Sequence, residues 1–145
     1  MNFDNRILLA ALVAWCSSQL LKTIIHLIIH HKIVWERLVG DGGMPSSHSA
    51  VVTAAATAAA FRCGLDSPVF AVAAILAMIV MHDARGVRQE TGKQAKVINS
   101  MLELLASMDK GDLTPEETLK EFVGHTGRQV FFGALLGFAI GVLIH

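Results

Sequence analysis

The chain has 145 residues, of which 53% are hydrophobic and only 17% charged, and its formal net charge is zero. Soluble domains carry about 25% charged residues, so this composition excludes an ordinary globular protein and points to a membrane-embedded one. A pI near 7.1 and a mean hydropathy of +0.53 leave no basic footprint for a nucleic-acid partner.

The length accommodates one domain, residues 1–145. Cys16 and Cys63 lie in apolar stretches, match no metal or redox spacing, and read as free buried thiols. Residues 7–27 form the first apolar run, interrupted only by Ser17, Ser18, Gln19, Lys22 and His26, with the ionisable groups towards its C-terminal end. It is long enough to span a bilayer and lacks the small-residue cleavage site of a secretory signal, so a retained first helix is expected. Residues 50–61 are alanine-rich but short, and even with residues 46–49 they cross a full hydrocarbon core only by starting inside it. Residues 68–81 and 130–144 are the third and fourth runs. On the last, Gly133, Gly137 and Gly141 recur every four residues, a stripe that lets another helix approach closely.

The polar stretch 82–128 separates the last two runs. Ile98, Met101, Leu102, Leu105 and Met108 fall near helical spacing and predict an amphipathic surface helix over 97–108. Thr114, Pro115 and Glu117 have the pattern of a capped helix start, with that helix running towards Gly124. The expected fold is all-α: an integral membrane helical bundle with about four transmembrane or partly re-entrant helices plus one or two amphipathic surface helices.

Three local signals carry chemistry. Gly42-Gly43-Met44-Pro45-Ser46-Ser47-His48-Ser49 opens the alanine-rich helix. It is either an ordinary capped helix start or an anion site built from free backbone N–H groups, serine hydroxyls and a proton-donating histidine. Arg85, Arg88, Lys93 and Lys96 follow the third run; alone they favour headgroup anchoring, although arginine's fork also fits a phosphate. His125, in Gly124-His125-Thr126-Gly127-Arg128-Gln129, is structural or catalytic, and Lys22 either snorkels or binds. If the runs alternate in direction, Lys22, the 42–49 loop, the 85–96 cations and His125 all reach one membrane face. Two histidines, several cations and a helix N-terminus are the inventory of phosphoryl transfer, and no carboxylate cluster with metal-ligand spacing accompanies them. No cofactor is expected.

These blocks, together with Asp83-Ala84-Arg85-Gly86-Val87-Arg88 and Leu119-Lys120-Glu121-Phe122-Val123-Gly124-His125-Thr126, resemble the divergent branch of the type-2 phosphatidic acid phosphatase superfamily, related to acid phosphatases and vanadium-dependent haloperoxidases. Ser18-Gln19 followed by Lys22 is similar to its N-terminal motif, and the resemblance covers roughly residues 6–143. It implies a single phosphatase-like membrane domain in which His125 is the nucleophile and His48 the general acid. Lys22, Ser47, Arg88 and Arg85 would hold the phosphoryl oxygens, with Arg37 a weaker candidate. Two positions depart from the superfamily's third motif. Leu119 stands where an arginine is usual, six residues before the histidine, so Arg88 or Arg85 would supply that charge. Gln129 stands where a carboxylate is usual, four residues after it, and brings no charge to orient the imidazole; Glu121 would substitute if its helix were continuous.

The implied substrate is a lipid phosphate: phosphatidate, phosphatidylglycerophosphate or an isoprenoid (di)phosphate. A lipid-phosphate-binding or structural membrane protein that has lost turnover is the alternative, and vanadate-dependent halide oxidation rests on the resemblance alone. A homodimer is expected if four apolar runs do not shield the site. Nine Lys/Arg residues fall on the site's side and two on the other. The positive-inside rule therefore predicts a cytoplasmic site, in the plasma (inner) membrane of a bacterium, with both termini outside.

Overall fold

The computed structural model describes residues 5–31, 43–107, 119 and 125–145. Five helices make up their regular structure: α1 (Arg6–His30), α2 (Ser47–Cys63), α3 (Pro68–Arg85), α4 (Val87–Ser107) and α5 (Gly127–Ile144). Each of α1, α2, α3 and α5 opens on a side chain that caps an otherwise orphaned N–H: Asn5, Ser46, Ser67 and Thr126. Pro68, just after its cap, supplies a preset φ where no donor is needed. The first helix ends on His31 in the left-handed region, whose N–H bonds the Leu27 carbonyl. A single residue, Gly86, separates α3 from α4, and its N–H closes the last turn of α3 on the His82 carbonyl.

The short helix α2 is the centre, packed against α1, α3 and α5. Its partnership with α5 is parallel and close. A Cβ built on Gly133 falls on the Ser46 carbonyl oxygen, and one on Gly137 falls on that of Ala50. At Gly141 a Cβ would lie 2.6 Å from the Thr57 Cβ, and beyond it the Phe61 and His145 rings sit 4.5 Å apart. Small residues every fourth position on both helices thus fit backbone against backbone along their whole shared length. Whatever depth α5 reaches, α2 reaches too. On α1 the buried stripe is Ala10, Ala14, Ser18 and Lys22, again every fourth residue, and it becomes polar towards the end that meets the start of α2.

The large apolar side chains point outward. The core is Ala10, Ala14, Ala50, Ala54, Ala58 and Ile140, while Leu12, Leu20, Val72, Met78, Phe131, Leu135 and Leu143 are exposed. This arrangement suits a lipid solvent, where close packing rather than water exclusion drives helices together. Three stretches are long and apolar enough to cross a membrane: Arg6–Ile29, Pro68–Leu105 and Gly127–Ile144. Those 17 residues of α2 extend about 25 Å at about 1.5 Å per residue, at the short end for a span.

Two expectations need correction. The amphipathic helix begins at Val87 rather than Val97, because its first turns are held by helix-compatible polar residues and a Glu90–Lys93 pair at 2.6 Å. Cys16 and Cys63 are free but exposed, not buried: Cys16 lies two residues off the buried Ala14–Ser18 stripe of α1, on its outer face, and Cys63 is the last residue of α2. The helix expected over residues 114–124 lies outside the described residues.

Candidate active site

The approach to α2 is shaped by Gly43, at φ +86°, a conformation open to glycine at little steric cost. Ser46 then does three things at once. Its Oγ accepts the Ser49 amide at 3.4 Å and the Ser49 hydroxyl at 3.2 Å, and its own N–H donates to the Gln129 carbonyl at 3.0 Å. The last bond ties the start of α2 to the first turn of α5. It places Ser47 and His48 beside the residues that precede α5.

His125 is one of those. Its N–H donates to the Ala84 carbonyl at 2.9 Å, docking it on the end of α3, and its side chain is 2% exposed. Thr126 and Gln129 form a capping box in which the Gln129 Oε1 accepts the Thr126 amide at 2.9 Å. The same Oε1 lies 3.2 Å from the His125 Nδ1. Because the Thr126 donor requires an oxygen there, the network assigns the hydrogen of a neutral His125 ring to Nδ1. The lone pair is then left on Nε2.

The His48 and His125 rings meet edge to face, with centroids 5.8 Å apart at an interplanar angle of 60°. Lys22, 4% exposed on α1, donates from Nζ to the Ser47 Oγ at 3.1 Å. That bond leaves the Ser47 hydroxyl hydrogen available to an acceptor. Arg85 reaches the start of α5, where a Cβ on Gly127 would lie 3.6 Å from its Nε. A cation at a helix N-terminus is electrostatically unfavourable on its own and favours an anion nearby. The four residues His48, His125, Lys22 and Ser47 thus gather at one end of the bundle, with Arg85 on its edge. Among the described residues, no three His, Cys, Asp or Glu come together as metal ligands would.

Beside them a cleft of about 360 Å³ opens between α1, α2 and α3. Gln19, Ser47 and His48 form its polar end, and Trp15, Val51, Val52 and Val80 its apolar walls. Arg37 and Glu121 lie outside the described residues. So does the side chain of Arg88, whose backbone belongs to the first turn of α4. Leu119 carries no charge to the site; its backbone N–H and carbonyl both bond the Asn99 carboxamide of α4, at 3.1 and 2.9 Å. Sequence reasoning missed this tie, the Ser46–Gln129 bond and the place of Gln19 in the cleft. Only Gln19 left a signal, sharing a helix face with Lys22 three residues on.

Comparison with known proteins identifies the family. The family model described as "Divergent PAP2 family" matches residues 3–140. The uncharacterized membrane protein YuiD of Bacillus subtilis (strain 168) is 41% identical over 145 residues, covering 94% of this chain and 92% of its own. No solved structure matches the chain. With nearly its whole length matched by the family model, the chain belongs to the divergent PAP2 family of membrane proteins.

Proposed function

We propose that this membrane protein is a lipid phosphate phosphatase that works without a metal through a phosphohistidine intermediate. The observation that carries the reading is the pairing of His48 with His125, 5.8 Å apart, beside buried Lys22. In this reading the phosphate sits among Lys22, Ser47 and Arg85, and the lipid tail leaves along the apolar cleft. Arg88 and Arg37 would add positive charge, and Glu121 would support the histidine. His125, with its Nε2 lone pair, attacks phosphorus; the P–O bond to the alcohol breaks, and His48 gives that oxygen a proton. Water then attacks phosphorus, the P–N bond breaks, and His48 takes the water's proton. Buried donors aimed at the phosphoryl oxygens stabilise the charge that builds up between these steps.

Acid-sensitive, base-stable phosphate on the protein, trapped during turnover and lost in His125→Asn, tests the intermediate. Gln129 supports a second reading, a lipid-phosphate-binding protein without turnover, because a neutral carboxamide stabilises an imidazolium less than a carboxylate does. Lysine and arginine distribution supports a cytoplasmic site, and the Bacillus subtilis relative supports a bacterial plasma membrane. A homodimer would shield the exposed flank of the four apolar helices.

A further inference from the structure

Gln19 is 6% exposed, yet its Oε1 is buried with no hydrogen-bond partner among the described residues. Such an orphan is costly: a buried acceptor without a donor loses its water and gains nothing. The residue lines the polar end of the cleft next to Ser47 and His48, one helical turn before Lys22. The terminal torsion of a glutamine is soft, so a small rotation turns the carboxamide oxygen towards a group lying in the cleft.

What that oxygen lacks among the described residues is a donor. The oxygens of an ionised phosphate are acceptors and do not fill the role, whereas a hydroxyl does. We infer that Gln19 is a specificity-determining residue that accepts a hydrogen bond from a substrate hydroxyl adjacent to the phosphate ester. The favoured ligands are then lipid phosphates with a free hydroxyl beside the ester. Those without one leave the oxygen orphaned, and a site built around a polar partner discriminates strongly against an analogue that lacks it. This inference rests on reading the cleft as a lipid phosphate site, but it concerns binding and does not need turnover.

The test uses two probes with identical bromine-labelled acyl chains: 1-acylglycerol 3-phosphate and the same molecule lacking the 2-hydroxyl. Both are titrated into Trp35→Phe protein in detergent, and quenching of Trp15, which lines the cleft, reports binding. The hydroxyl probe should bind about tenfold to a hundredfold more tightly. Replacement of Gln19 by near-isosteric Met should abolish that preference. Equal affinity of the two probes for the unsubstituted site overturns the inference, as does a preference that survives Gln19→Met. Phosphate release is measured on the same samples: a hydroxyl preference without turnover contradicts the phosphatase reading and leaves the role of Gln19 standing.

Discussion

Gln129, in the first turn of α5, and His125, just before its cap, meet side chain to side chain, with the Oε1 of one 3.2 Å from the Nδ1 of the other. The same oxygen caps α5 through the Thr126 amide, so helix start and histidine orientation depend on one carboxamide. Gln129→Glu keeps both bonds and adds a charge. It should raise turnover by up to about 100-fold, the scale on which a positioned acid–base partner acts. Initial rates on a lipid phosphate check this, and an unchanged rate would show that another group already balances the imidazolium.

The Lys22–Ser47 bond joins α1 to the start of α2 inside the bundle. Lys22→Met preserves the length of the side chain but removes the cation. It should lower kcat on the order of 10²-fold to 10³-fold, as loss of one preorganised donor to a developing oxyanion does. Gel filtration should show an unchanged folded particle, and a rate within twofold of wild type would remove Lys22 from the phosphate site.

Close packing between α2 and α5 depends on the missing side chain at Gly137. Any Cβ there falls on the Ala50 carbonyl oxygen, so Gly137→Leu forces the helices apart and should destabilise the bundle by about 1–3 kcal/mol or more. Thermal unfolding in detergent reads the effect. Phe138→Leu, on the exposed face next door, serves as the control and should leave the midpoint nearly unchanged.

Much of this architecture was legible in the sequence, for specific reasons. The glycine stripe on α5 announces a close neighbour because small residues at that spacing let two helix backbones meet. Alternating helix directions bring Lys22, His48 and His125 to one end before any coordinate is known. The partner of the stripe was not legible, since the alanines of α2 pack equally well against several helices. Nor was the early start of α4, whose first turns carry no apolar period. Exposure of Cys16 and Cys63 runs against the soluble-protein habit of burying thiols and follows from their places, off the buried stripe of α1 and at the end of α2. The Asn99 bonds to Leu119 join residues 20 apart through backbone groups, which no sequence pattern records.

Orientation is tested by a reporter at the C-terminus, which lies at the end of α5 opposite the histidines, with His145 against Phe61. An excess of nine Lys/Arg over two on the site's side predicts an active alkaline phosphatase fusion and a dark green fluorescent protein fusion. The opposite pair of signals would place the site outside.

Phosphate release by purified protein, in detergent with EDTA, comparing wild type with His125→Ala across a panel of lipid phosphates, tests the central claim most directly. The account predicts metal-independent turnover of at least one lipid phosphate by the wild type. In the variant the rate should fall by at least about 10³-fold, as expected when a covalent nucleophile is removed. Wild-type rates in His125→Ala, or binding of the whole panel with no phosphate released by either protein, would contradict it.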